Sequence, residues 1–135
     1  MEERMYREQI IDLYEHPLNR GRLEAADFSY EEDNPLCGDV VRIDVRLDEQ
    51  RRVVDVKWAG EGCAISQASA SLLTEEIKGK TLDEVKAFSK DELLDLLGIQ
   101  LSMTRVKCAL LSLKVLKAGA YGLPEPEAIR KHNED

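Results

Sequence analysis

The sequence lacks any apolar run approaching the roughly 20 residues that a membrane-spanning helix requires. It also lacks an internal repeat and a long linker, and its 135 residues match the usual size of one domain. We therefore expect a single domain over residues 1–135. The opening segment, MEERMYREQIIDLYEHP, carries charges of both signs and has no apolar centre. We thus expect no secretory signal and a cytoplasmic location.

Basic residues are outnumbered, with 19 Lys and Arg against 27 Asp and Glu and a formal net charge of −8. A field of this sign repels nucleic-acid phosphates and anionic lipid, so we exclude nucleic acid and membrane surfaces as main partners. Cysteine is scarce as well, and its three copies are an odd number that cannot all pair within one chain. In a reducing compartment, metal binding or thiol chemistry is therefore a better prediction than a disulfide framework.

The hydrophobic periodicity predicts an α+β fold with a three-stranded antiparallel sheet and helices packed on one face. Predicted helices span 2–15, 63–77, 103 or 104 to 118 and 124–131, with short helices opened by capping boxes at Thr81 and Ser89. Predicted strands span 27–33, 39–47 and 53–58. Within the second strand, alternation places Val41, Ile43, Val45 and Leu47 on a buried face and Arg42, Asp44 and Arg46 on a wet face. We expect Gly119 and Gly122 to stop the last long helix.

All three cysteines fall at the ends of predicted elements, where functional sites are usually built. Cys37 lies in a turn before the second strand, Cys63 opens a helix after Gly60-Glu61-Gly62, and Cys108 lies early in the last long helix. Asp39 follows Cys37 by two residues, so both side chains would share a face. Three thiolates and one carboxylate suit tetrahedral zinc or an iron–sulfur cluster, although scattered thiols without a function remain an equal alternative at this point.

Four motifs occur in order along the chain: NPLCGD (34–39), GEGCAIS (60–66), KGKTLDE (78–84) and RVKCALL (105–111). In these motifs the chain resembles the IscU/SufU/NifU-N-terminal group of iron–sulfur cluster assembly proteins, over most of its length. The resemblance implies the same α+β fold. It also implies that Cys37, Asp39, Cys63 and Cys108 hold zinc or a nascent [2Fe–2S] cluster at one shared site.

The resemblance implies that the protein functions as a scaffold rather than as an enzyme. The scaffold would accept sulfur from a cysteine desulfurase, build a labile [2Fe–2S] cluster and transfer it to apo iron–sulfur proteins. A cluster bridged between two or three chains would make the protein a homo-oligomer. Since an oxygen ligand holds soft metals less tightly than a fourth thiolate would, Asp39 predicts a site that releases its cargo.

The subtype stays open between two alternatives. Scaffolds of the IscU type usually carry a histidine before the third cysteine, after a Leu-Pro-Pro-Val-Lys segment that a chaperone binds, whereas this chain has Lys107 and no proline pair. Arg-Val-Lys-Cys is similar to SufU, a zinc protein that accepts sulfur from its desulfurase, but SufU usually has a longer insertion before that cysteine. The alternative function is therefore a zinc-dependent sulfur acceptor with Cys37 as nucleophile.

Two cations near the third cysteine are further candidates. Lys107 would donate to a cluster sulfide or a persulfide, and Arg105 would pair with Asp39 or contact the desulfurase. Each also fits an ordinary surface cation. A purely structural zinc domain fits the ligand set but not Asp39, because structural zinc sites are normally closed by Cys and His alone.

Overall fold

A computed structural model describes residues 2–35 and 38–123, and the side chains of residues 2–6 lie outside this description. Its elements are α1 (Glu2–Glu15), β1 (Phe28–Asn34), β2 (Asp39–Leu47), β3 (Val53–Glu61), α2 (Ala64–Ile77), α3 (Leu82–Ala87), α4 (Lys90–Leu97) and α5 (Met103–Gly122). The predicted helix over 124–131 and the position of Cys37 fall outside the described residues. Among the described helices, none combines the length and the apolar character needed to cross a bilayer.

The three strands form one antiparallel sheet in the order β1-β2-β3, as predicted. Ile43 at the centre of β2 lies opposite Tyr30 of β1 and Trp58 of β3. Val41, Ile43 and Val45 are buried in a core that α2 and α5 complete from one side of the sheet. The α+β architecture is therefore confirmed.

A second apolar cluster lies on the helical side of the molecule. Ile10 and Leu13 of α1 pack with Ala68 of α2, Leu97 of α4 and Ala109 of α5. Because α2 and α5 contribute to both clusters, they are covered by the sheet and by other helices. This explains why α2 buries small and polar residues as well as large apolar ones.

Asp44 corrects the prediction of a wet outer face on β2, since only 1% of its surface is exposed. The segment between α1 and β1 covers it, with Arg22 Nε and the Leu23 N–H each 3.0 Å from Asp44 Oδ2. Oδ1 accepts hydrogen bonds from Ser29 Oγ at 2.7 Å and Arg42 Nε at 3.1 Å. Alternation within one strand shows which face is more polar, but not whether a distant loop covers that face.

The segment between α1 and β1 is also bonded to β3 at Trp58. The Trp58 N–H donates to Asn19 O at 2.9 Å, and the Gly21 N–H donates to Trp58 O at 2.8 Å. The indole Nε1 donates to Leu18 O at 2.8 Å. At the other end of β3, the Val53 N–H donates to Lys80 O at 2.8 Å. Residues outside the sheet thus bond to the first residue of β3 and to Trp58 in its second half.

Two element ends differ from the prediction by more than one residue. Helix α5 continues through Gly119 to Gly122, so the predicted stop at Gly119 is wrong. A Cβ at Gly119 would lie 2.6 Å from Phe28 Cδ1, so this glycine allows close packing of α5 on β1. Strand β3 runs to Glu61 rather than ending at Trp58. The capping boxes at Thr81 and Ser89 are both confirmed.

Candidate metal centre

Three separate elements bring the described candidate ligands together. Asp39 is the first residue of β2, Cys63 is the N-cap of α2 directly after β3, and Cys108 lies in the second turn of α5. Pairing of Val40 with Glu61 places the start of β2 beside the end of β3. Helix α5 packs against β1 and β2, which brings Cys108 to the same end of the sheet.

The ligand atoms of Asp39, Cys63 and Cys108 all lie within 4.8 Å of one another. One Asp39 oxygen, Oδ1, accepts a hydrogen bond from the Cys63 N–H at 3.0 Å, and the other lies 3.9 Å from Cys63 Sγ. Asp39 and Cys108 are buried, whereas Cys63 is half-buried. A shallow cavity of about 360 Å³, lined by Cys63, Thr104, Arg105 and Cys108, opens from these sulfur atoms. A small inorganic ligand could therefore reach the site from the surface.

Two glycines make the close approach of Cys63 to Asp39 possible. We call residues 60–62 the glycine turn. Gly60 has a φ of +145°, and a Cβ there would lie 1.9 Å from Val40 O. A Cβ at Gly62 would lie 2.5 Å from Asp39 Oδ1. Any side chain at either position would push β2 or the Asp39 carboxylate away from Cys63.

The donor set fits a thiophilic metal. With Zn–S bonds of about 2.3 Å, tetrahedral geometry places two sulfur ligands about 3.8 Å apart. Cys108 is disulfide-bonded in this structure, so it becomes a ligand only after reduction. The observed separations of at most 4.8 Å then need only small side-chain rotations to reach that geometry. Two sulfur donors and one carboxylate are ligands that suit zinc and iron. A fourth ligand is predicted to be Cys37, and the assignment of all four residues stays a prediction.

The two predicted cations occupy different places. Arg105 lines the cavity beside Cys63 and Cys108 and is exposed. It forms no ion pair with Asp39 in the part of the chain that the structure describes, so the pairing alternative is not supported. Lys107 instead lines another groove with residues 33–35, which precede Cys37 in the sequence, and with Leu110, Leu111 and Lys114. Roles for Arg105 and Lys107 towards a partner or a persulfide stay predictions.

Arg20 and Gln67 contact the site and were not predicted from the sequence. Both donate hydrogen bonds to main-chain oxygens of the glycine turn. Gln67 lies four residues after Cys63, on the same face of the helix start, and this spacing was a usable signal. Arg20 gives no such signal, because its position depends on how a loop folds against β3.

The chain matches the family described as "NifU-like N terminal domain" over residues 5–128. It belongs to this family. The zinc-dependent sulfurtransferase SufU of Bacillus subtilis (strain 168) is 38% identical over 132 residues, covering 85% of this chain and 88% of SufU. The iron–sulfur cluster assembly scaffold protein IscU of Haemophilus influenzae is 34% identical over 116 residues, covering 84% of this chain and 90% of IscU.

Solved structures of the same family share the fold. A putative iron–sulfur cluster assembly scaffold protein for the SUF system from Fervidobacterium islandicum AW-1 superposes with a TM-score of 0.72 at 32% identity, covering 84% of this chain and 94% of that one. The N-terminal part of a NifU-like protein from Brucella abortus superposes with a TM-score of 0.67 at 21% identity, covering 96% of this chain and 95% of that one. At that identity the second likeness supports the fold alone.

Proposed function

We propose that this protein is an iron–sulfur cluster assembly scaffold. In this proposal it accepts sulfur from a cysteine desulfurase, assembles a labile [2Fe–2S] cluster on Cys37, Asp39, Cys63 and Cys108, and transfers the cluster to apo-proteins. The observation that carries the proposal is the convergence of Asp39, Cys63 and Cys108 within 4.8 Å at the mouth of a surface cavity. The IscU relative, a scaffold by its name, supports the assignment.

Sulfur acceptance requires an accessible thiolate. A cysteine thiolate attacks the terminal sulfur of a persulfide on the desulfurase, which forms a new S–S bond and releases the desulfurase cysteine as a thiolate. This transfer involves no net oxidation or reduction, so it needs no oxidant or reductant. Conversion of the transferred sulfur to sulfide needs two electrons from an external reductant. We assign the acceptor role to Cys37, with Lys107 available to neutralise the persulfide charge.

Release of the cluster is favoured by the mixed ligand set. Asp39 supplies a hard oxygen donor among sulfur donors, so the cluster is held less tightly than by four thiolates. The Cys63 N–H bound to Asp39 Oδ1 competes with a metal for the carboxylate lone pairs. Both features favour a site that binds its cargo transiently.

Anaerobic reconstitution tests the scaffold function directly. The reduced protein is incubated with ferrous iron, a thiol reductant, and a cysteine desulfurase with its substrate. Visible absorption and acid-labile sulfide are then measured. We expect a visible chromophore with two iron and two sulfide per cluster, and its loss in Cys63→Ser. A protein that stays colourless while it retains tightly bound zinc would contradict the proposal.

A second candidate function is a zinc-dependent sulfur acceptor. The 38% identity to a zinc-dependent sulfurtransferase and the Lys107-Cys108 pair favour it. When bound, zinc would hold the thiolates in order until one ligand leaves to accept sulfur. One observation counts against it. The alignment with SufU is 132 positions long, which is more than the 85% of this 135-residue chain that it covers. The additional positions are gaps in this chain, so SufU has residues that this chain lacks.

Turnover of the desulfurase separates the two functions. Both candidates accept sulfur on Cys37, so Cys37→Ala abolishes stimulation of the desulfurase in either case. Without iron, a zinc-dependent acceptor sustains faster release of alanine from cysteine over many turnovers. A scaffold without iron sustains none beyond the first sulfur that it accepts. An unchanged desulfurase rate with the zinc-loaded protein present would rule out the second candidate.

A further inference from the structure

Two side chains from outside the glycine turn hold both of its glycine carbonyls. Arg20 Nη2 donates to Gly60 O at 2.9 Å, and Gln67 Nε2 donates to Gly62 O at 2.9 Å. Arg20 Nη1 also lies 3.4 Å from Gln67 Oε1 and donates to it. The two side chains and the turn therefore form one connected hydrogen-bond network.

Gly60 and Glu61 pair with β2 as the last residues of β3, whereas Gly62 lies beyond the paired strands. The step from Glu61 to Cys63 therefore needs support from side chains. Glycine loses more conformational freedom on folding than any other residue, and neither glycine has a side chain to pack. Close approach to the Val40 main chain at Gly60, and to the Asp39 carboxylate at Gly62, forbids larger residues at these positions. The orientation of the Cys63 N–H towards Asp39 therefore depends on groups outside the turn.

Arg20 is held in place by contacts that involve none of the candidate ligands. Its guanidinium lies 5.2 Å from the centroid of the Trp58 ring. Its neighbours in sequence, Asn19 and Gly21, are both hydrogen-bonded to the Trp58 main chain. Asn19 Nδ2 also donates to Thr74 Oγ1 at 3.1 Å on α2. The side chain that reaches the glycine turn thus starts from a backbone held by both β3 and α2.

We propose that Arg20 and Gln67 are positioning residues for the metal site. They keep the glycine turn in the conformation that places Cys63 beside Asp39, and this arrangement raises the affinity of the site for zinc. Neither side chain is a predicted ligand. The effect on metal affinity rests on the proposed function, whereas the effect on the turn does not.

Zinc affinity of four proteins tests the proposal. The reduced wild type, Arg20→Ala, Gln67→Leu and the control Arg22→Ala are titrated against a chromophoric zinc chelator. Loss of groups that orient metal ligands typically costs about 10- to 100-fold in affinity, so we expect at least about tenfold weaker binding for the first two variants. Arg22 lies in the same loop but bonds to Asp44, so Arg22→Ala should stay within about twofold of the wild type.

Amide exchange of Cys63 in the zinc-free protein gives a second measurement. Its N–H donates to Asp39, so we expect about tenfold faster exchange in Gln67→Leu and no change in Arg22→Ala. A double variant of Arg20 and Gln67 should exchange little faster than the single variants, because both act through one turn. A cooperative thermal unfolding transition is the control that each variant is folded.

Three results would overturn the proposal: wild-type zinc affinity in Gln67→Leu, wild-type exchange of Cys63 in that variant, or an equal loss of affinity in Arg22→Ala. A wild type that binds no zinc would contradict the proposed function instead. In that case the exchange rate of Cys63 would still decide whether Arg20 and Gln67 hold the turn.

Discussion

The Asp44 carboxylate holds the segment between α1 and β1 against the outer face of the sheet. Burial is the largest influence on its pKa and opposes ionisation, but hydrogen bonds from Ser29, Leu23 and Arg22 and the charge of Arg42 together outweigh burial. The pKa of Asp44 therefore lies below its ordinary value of 3.8. Its contribution to stability is complete above that value and is lost as pH falls through the lower, folded-state pKa.

Substitution Asp44→Asn should lower the free energy of unfolding at pH 7 by about 1–3 kcal/mol, because the hydrogen bonds lose their charged acceptor. The difference from the wild type should shrink as the pH falls towards about 3 and below. Urea unfolding at both pH values measures this. Asp55→Asn is the control, since Asp55 forms a partly exposed pair with Arg46 at 3.8 Å and should change stability by less than about 1 kcal/mol. An equal loss in both variants would contradict the role of Asp44.

At the scale of elements, the contact between α5 and β1 depends on the absence of a side chain at Gly119. Gly119→Ala gains helix propensity of about 1 kcal/mol, but its methyl group would lie 2.6 Å from the Phe28 ring. Overpacking of this kind costs about 1–3 kcal/mol, so we expect a net loss of stability. Chemical denaturation measures it. The control is Gly122→Ala, in open space on the same helix, which should be neutral or stabilising by up to about 1 kcal/mol. A Gly119→Ala variant that is more stable than the wild type would refute the packing argument.

The elements themselves could be predicted because the hydrophobic pattern and the capping boxes are local signals. Strand β2 has its predicted bounds, and α3 and α4 open at the predicted Thr81 and Ser89. Gly119 was misinterpreted, since a glycine that ends a helix and one that lets a strand approach look alike in sequence. Burial of Asp44 and the contacts of Arg20 depend on how a loop folds over the sheet. No local pattern encodes that.

At the scale of the whole molecule, a metal that joins β2, α2 and α5 should be linked to global unfolding. Zinc at 100 times its dissociation constant adds about 2.7 kcal/mol to stability if it binds only the folded chain. For a chain of this length, that corresponds to a rise in Tm of roughly 10 °C. Calorimetry of the reduced protein with and without zinc measures the shift. Cys63→Ser should show a much smaller one, and an equal shift in that variant would place the zinc elsewhere.

The hydrogen bonds that residues outside the sheet make to β3 affect how copies of this protein can associate. An open edge strand offers unpaired N–H and C=O groups to a neighbouring molecule, which can then extend the sheet and begin an aggregate. On β3, Asn19 and Gly21 occupy those groups at Trp58, and Gly79 and Lys80 occupy them at Val53. Extension of the sheet from this edge is therefore blocked at Trp58 and at Val53, so this edge of the fold is protected from strand exchange there.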